Sequence, residues 1–113
     1  MNYIEERPWG SFENIYEASY YKVKRIVVKP NQSFSLQYHN KRSEDWIIVE
    51  GYGDIRINNN FRECQAGDRV HIPLRAIHRA TAGPEGLVMI EVQHGECIEE
   101  DIVRLEDNYG RIE

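Results

Sequence analysis

Short alternating runs separated by turn residues make up most of the chain. Ser11 to Ala18 alternates loosely, with Phe12, Ile15 and Tyr16 apolar. Tyr20 to Lys29 is dense in β-forming residues, including Tyr20, Tyr21, Val23, Ile26, Val27 and Val28, and Pro30-Asn31 ends it. Ser33 to His39 puts Phe34, Leu36 and Tyr38 on one face and Ser35, Gln37 and His39 on the other. A strand between packed layers shows this pattern when its polar face lines a cavity. Trp46 to Val49 is apolar without interruption, which predicts a strand covered on both faces.

Gly51-Tyr52-Gly53 interrupts that run before Asp54 to Ile57 resumes alternation. Asn58-Asn59-Asn60 predicts a hairpin, since Asn tolerates positive φ, and Phe61 to Cys64 is the return strand. Ala66-Gly67-Asp68 is a turn, and Arg69 to Ile72 alternates with Val70 and Ile72 inward. Pro73 to Ala76 reads as loop and Ile77 to Thr81 as strand. Ala82-Gly83-Pro84-Glu85-Gly86 reads as a turn and Leu87 to Gln93 as a strongly apolar strand. Beyond Gly95 the pattern changes: Ile98, Ile102 and Leu105 have the spacing of a helical turn or two, an irregular arm being the other option. About nine short strands with turns every eight to twelve residues predict an all-β sandwich or barrel.

With 113 residues the chain suits one domain. A net charge of −5, with no concentration of Lys and Arg along one face, argues against a general nucleic-acid binder. A site for a small anion needs only two or three local cations and stays open. No apolar run approaches the roughly 20 residues of a membrane span. The start, Met1-Asn2-Tyr3-Ile4-Glu5-Glu6-Arg7, lacks the apolar core of a secretory signal, so a cytoplasmic protein is expected. Cys64 and Cys97 match no metal or redox spacing, and no role is expected of them.

The candidate chemistry is a metal site. Gln37 and His39, two apart on a strand, share a face, and Glu44 follows after a polar interval long enough to turn the chain. A second histidine, His78, follows the stretch Gly67 to Pro73. Two imidazoles, a carboxylate and an amide oxygen can together hold one divalent ion; zinc suits them, with nickel, cobalt, iron or manganese also compatible. Each residue taken alone is more often an ordinary polar side chain, and it is the joint spacing that argues for a site. His71 and His94 are left out of the ligand set. Glu91 and Gln93 share one face of their strand and point into a cavity if Ile90 and Val92 pack away from it; a carboxylate there is a candidate proton carrier. Lys24 and Arg25 point opposite ways, and Lys24 is preferred as the one reaching the cavity. Trp9 and Trp46 are expected to be packing residues.

Two stretches resemble the paired motifs of the cupin superfamily. Gln37-x-His39, four residues and Glu44 resemble the first, with Gln in place of its first His; Gly67, five residues, Pro73 and His78 resemble the second, with Arg75 where the second Gly would stand. The resemblance narrows further. Arg7-Pro8-Trp9-Gly10, Val23-Lys24-Arg25-Ile26, Ser35-Leu36-Gln37 with His39, Arg42-Ser43-Glu44, Trp46 to Val49, Ile72-Pro73, His78-Arg79, Ile90 to Gln93, Asp101 to Arg104 and Glu106 to Arg111 together resemble the isomerase domain of type II phosphomannose isomerases. In that family the domain usually follows a GDP-mannose pyrophosphorylase domain. This chain departs from the family at Asn40-Lys41, where the family is rich in His, at Asp45, where it has His, and at Glu50 to Gly53.

That resemblance implies a cupin jelly roll over residues 1–113, with an N-terminal arm (1–10), a barrel (11–95) and a C-terminal arm (96–113). It implies metal-dependent interconversion of mannose 6-phosphate and fructose 6-phosphate by a homodimer. Gln37, His39, Glu44 and His78 would hold the metal. Glu91, Lys24 and Arg104 would be catalytic, and Gln93, Arg104 and Arg111 would bind the phosphosugar, the arginines as forks for its phosphate. The alternatives are a cupin enzyme acting on another phosphosugar or a sugar acid, an iron-dependent oxygenase, and a non-catalytic sugar-binding cupin.

Overall fold

The computed structural model describes residues 3–110, and all of their regular structure is strand. The strands are β1 (Tyr3–Arg7), β2 (Gly10–Glu17), β3 (Tyr21–Val28), β4 (Leu36–Tyr38), β5 (Arg42–Ile57), β6 (Asn60–Gln65), β7 (Arg69–Ile72), β8 (His78–Gly95) and β9 (Val103–Glu106). Every pairing is antiparallel. One curled sheet runs β1-β2-β3-β8-β4-β9, and β5 pairs with β6, β7 and β8.

Strands β5 and β8 form the frame. They pair from Arg42↔Gly95 at one end to Ile57↔His78 at the other. The second half of β8 lies between β3 and the start of β5, while its first residues meet β4 and the end of β5. Both strands bend at the same level, where the register shifts between Ile48 and Glu50 and again between Gly51 and Gly53. The glycine-rich stretches at 51–53 and 82–86, expected as a strand break and a turn, are therefore bends inside continuous strands. A bulge adds local twist without ending the ladder, and here it curls the sheet.

Gly51 makes that corner possible. Its φ is +77°, and a Cβ there would lie 2.1 Å from the carbonyl oxygen of Gly86. Gly51→Ala should cost at least about 2 kcal/mol in urea denaturation, from the left-handed backbone plus the overlap across the bend. Gly67 has φ +97° but nothing within 4 Å of its Cβ position. Gly67→Ala should therefore cost only about 1 kcal/mol. Equal costs at the two sites would refute the close approach as the reason for Gly51.

The inner face changes character along its length. Across β3, β8 and β5 the register stacks Lys22, Gln93 and Glu44 in one row and Lys24, Glu91 and Trp46 in the next. The following rows are apolar: Ile26, Met89 and Ile48, then Val28 and Leu87. These apolar residues join Trp9, Phe12, Phe34, Ile55, Val70 and Ile72 in the core. One end of the barrel is thus filled with hydrocarbon and the other end holds charge.

Three local expectations need correction. Trp46 and Ile48 are fully buried, but Ile47 and Val49 are 42% and 41% exposed, so that strand is covered on one face only. An uninterrupted apolar run does not reveal which of its sides lacks a partner layer. Phe34 sits in the core beside Trp9 and Trp46, on the same cavity as Ser35 and Gln37. The regular pleat starts only at Leu36, so parity fails before it. Of the two options for the C-terminal stretch the helix fails: residues 96–102 are irregular, and Val103–Glu106 forms β9 on the edge of β4.

Candidate metal centre and cavity

The polar end of the barrel brings His39, Glu44 and His78 together. His39 follows β4, Glu44 is the third residue of β5, and His78 opens β8. All three are buried, and their ligand atoms lie within 4.8 Å of one another. His39 Nε2 is 3.2 Å from Glu44 Oε2, and His78 Nε2 is 3.8 Å from Glu44 Oε1.

The backbone fixes the state of both rings. His39 Nδ1 is 2.6 Å from the carbonyl oxygen of Asp101, and His78 Nδ1 is 2.9 Å from that of Ala76. A carbonyl only accepts, so each Nδ1 must carry the proton and donate it. In the neutral ring Nε2 then turns its lone pair inward, the tautomer that a metal ligand needs. Burial also keeps His39 neutral, lowering its pKa to about 4. Burial opposes ionisation of Glu44, but neighbouring positive charge outweighs it and holds the carboxyl below its usual range; with both imidazoles neutral, the Arg42 guanidinium supplies that charge. His78 Nε2 is buried with no hydrogen-bond partner among the described residues. An orphaned acceptor beside an ionised carboxylate and a second imidazole lone pair is what a divalent transition ion would satisfy, so the residues fit the group. Gln37 is Cα-paired with His78 and lines the adjoining cavity, its Oε1 accepting the Ser35 hydroxyl at 2.6 Å.

Two further residues belong here that the sequence reading did not single out. Arg42 is buried; its Nε donates to Glu44 Oε2 at 3.0 Å and its Nη2 to His39 Nε2 at 3.1 Å. That nitrogen has one lone pair, so an ion bound there replaces the arginine bond. Arg42 stands two residues before Glu44 on the same strand, and period-two spacing could have found it. Asp101 acts through its backbone carbonyl on His39, while its carboxylate accepts the N–H groups of Asn40 and Lys41 at 3.0 and 2.8 Å. Those bonds hold the Asp101 carboxyl below its usual range against the effect of burial.

Beside the cluster lies a cavity of about 140 Å³, lined by Lys24, Gln37, Arg42, Glu44, Glu91 and Arg104 among others. Glu91 and Gln93 both point inward and are buried, and Gln93 Nε2 donates to Glu91 Oε1 at 2.6 Å. Trp46 packs edge-on against His78, and its Nε1 donates to both Glu44 Oε1 (3.0 Å) and Glu91 Oε2 (3.2 Å). It is a packing residue, as expected, but it also ties the two carboxylates together. Burial, reinforced by the charge of Glu44, raises the Glu91 pKa to about 8. Two neighbouring carboxyls thus sit at opposite ends of the acid–base scale.

Lys24 points inward over the Phe12 ring, with Nζ 2.5 Å from Glu99 Oε1, while Arg25 points outward towards Glu50. Arg104 reaches the cavity from β9, its Nε buried and without a partner among the described residues. Arg111 lies outside the described residues. His71 and His94 flank Asp45 away from the cavity, at 2.8 and 3.5 Å. Two of the family departures therefore leave the cluster's side chains untouched: Asp45 pairs with these two histidines, and Asn40 and Lys41 contribute backbone N–H groups whatever their side chains.

Comparison with known proteins identifies the family and the fold. The model of the family "Mannose-6-phosphate isomerase C-terminal" matches residues 3–107. Mannose-1-phosphate guanylyltransferase ManC of Salmonella typhimurium is 41% identical over 108 residues, covering 94% of this chain and 22% of ManC. The alginate biosynthesis protein AlgA of Pseudomonas putida is 40% identical over 114 residues, covering 98% of this chain and 24% of AlgA. The chain thus spans less than a quarter of the length of these relatives. A solved RmlC-like cupin from Shewanella frigidimarina superposes with a TM-score of 0.77 at 18% identity, over 88% of this chain and 87% of that one, which shows the shared cupin fold. The chain is a cupin domain that belongs to the mannose-6-phosphate isomerase C-terminal family.

Proposed function

We propose that this domain is a metal-assisted aldose–ketose isomerase that interconverts mannose 6-phosphate and fructose 6-phosphate. The observation that carries the reading is the buried His39–Glu44–His78 cluster, with both imidazole lone pairs turned inward, next to a cavity that also contains a carboxyl of raised pKa. His39, Glu44 and His78, with the amide oxygen of Gln37, would hold one divalent ion, zinc being the best match to the donor set. When bound, the ion supplies polarisation of the sugar carbonyl and stabilises the negative charge that develops on the sugar oxygens.

The proton work falls to the chain's own residues. Isomerisation takes a proton from C2 of the aldose and returns one to C1, while the O2 hydroxyl proton moves to O1. Glu91 is the group we assign to the carbon proton: it is buried in the cavity, and its pKa lies near neutrality. Gln93 and Trp46 orient its two oxygens. Lys24, ion-paired to Glu99, acts on the substrate's charge. Arg104 offers its Nε to the sugar phosphate from the β9 wall, and Arg111 is assigned to the same ligand.

The test is a coupled isomerase assay on mannose 6-phosphate with protein stripped of metal and then reconstituted with zinc, nickel, cobalt, iron or manganese. Turnover restored by at least one ion is expected. Binding of the hexose phosphate without turnover under any ion would overturn the isomerase and leave a sugar-phosphate-binding cupin. Sedimentation velocity on the same preparation reports whether it is the expected homodimer.

A further inference from the structure

Lys24 lines the cavity from β3, and Lys22, two residues before it on the same strand, is buried beside it. Lys22 and Lys24 are 5% and 4% exposed, and a buried ammonium is costly without a counter-charge. Their Nζ atoms converge on one oxygen, Glu99 Oε1, at 3.4 and 2.5 Å. Lys22 also reaches Glu17 at 3.2 Å. The charge of Arg42 bears on the same Glu99 carboxylate. Arg42 lines the cavity with Lys24 and Glu99, and its Nη1 is buried with no partner among the described residues.

The two sides of this arrangement are built differently. Lys22, Lys24 and Arg42 stand on β3 and β5, in the most extensively paired part of the sheet. Glu99 stands outside any strand, between β8 and β9, and its side chain is half exposed. A carboxylate is also an incomplete match for the cradle, since one of its oxygens serves both lysines and Arg42 Nη1 is left unpaired. A phosphate monoester carries about −1.5 to −2 charges at neutral pH and three strong acceptor oxygens. It would offer one oxygen to each of the three cations.

We propose that Lys22, Lys24 and Arg42 form a phosphate subsite in this cavity and that Glu99 occupies it as an internal anion until a phosphate monoester displaces it. This rests on reading the cavity as a sugar-phosphate site and adds to that reading three cations that share the phosphate with Arg104 across the same cavity, and the anion that competes for its place. Removing Glu99 then strengthens binding of phosphate, although it deletes an ion pair from the protein.

Calorimetric titration of the wild type and of Glu99→Ala with inorganic phosphate, mannose 6-phosphate and mannose tests this. Glu99→Ala should bind inorganic phosphate and mannose 6-phosphate on the order of tenfold more tightly, with no gain for mannose. Adding Lys24→Gln to Glu99→Ala should remove the gain. Because Lys24 is buried and its replacement can impair folding, a second readout uses Glu99→Ala alone: its thermal midpoint should fall without phosphate and recover when phosphate is added. Unchanged or weaker phosphate binding by Glu99→Ala, an equal gain for mannose, or a midpoint that phosphate does not restore would each overturn the proposal. Turnover with unaltered phosphate affinity would sink the cradle and spare the isomerase; tighter phosphate binding without turnover would do the reverse.

Discussion

His78→Ala is expected to lower affinity for the divalent ion by 10²-fold or more and to reduce isomerase turnover to background. Loss of an outer hydrogen-bond partner of a ligand already costs roughly 10–100-fold in affinity, and loss of the ligand itself costs more. The site has no substitute to offer. Glu44 is shared between the two imidazoles, and His71 and His94 point away from the cavity. His78 is also a packing residue, with its ring 5.8 Å from Trp46 and 5.2 Å from His39, so the alanine variant loses stability too. His78→Leu separates the two effects: it refills much of the volume without a lone pair and should be as deficient in metal binding while recovering stability. Metal affinity within threefold of wild type in either variant, measured by competition with a chromogenic chelator, would refute the proposed centre.

The convergence of His39, Glu44 and His78 was legible because it depends on short-range geometry. Gln37 and His39 share a strand face, and the intervals to Glu44 and from Gly67 to His78 follow motif spacing. The supports behind them were not legible. Asp101 orients His39 through a backbone carbonyl, which no residue type advertises, across 62 positions of sequence. Arg42 was open to the same parity argument as Gln37 and His39, but it reads as a surface charge until its burial between Glu44 and His39 is seen. The fold class was legible from the repeated strand and turn signals. What failed was the distinction between a turn and a bend, because glycine serves both: only the continuous β5–β8 ladder shows that the chain carries on. The spacing of Ile98, Ile102 and Leu105 left a helix and an irregular arm both open, and the helix failed for a related reason. Two turns of helix are marginal without tertiary support, whereas the edge of β4 offered a ladder to Val103–Glu106.

Glu91→Gln is expected to lower kcat by about 10²- to 10⁴-fold, the range for a general acid–base group, with a smaller change in KM. The amide keeps the size of the side chain and can still accept from Trp46 and meet Gln93, so the fold should persist. The wild-type enzyme should gain activity as pH rises and Glu91 releases its proton, and the variant's residual activity should lack that limb. Stability of the metal-stripped protein gives an independent reading. The folded pKa, about 8, lies above the ordinary value of 4.5 because burial and the Glu44 charge favour the neutral carboxyl. The folded state therefore binds more protons than the unfolded chain between those values. The contribution of Glu91 is fully present below pH 4.5 and is lost as pH rises through 8. Glutamine cannot lose a proton, so the stability of Glu91→Gln relative to wild type should rise from pH 5 to pH 9 in urea denaturation. A constant difference across that range would mean that Glu91 is an ordinary carboxylate and would remove it as the proton carrier.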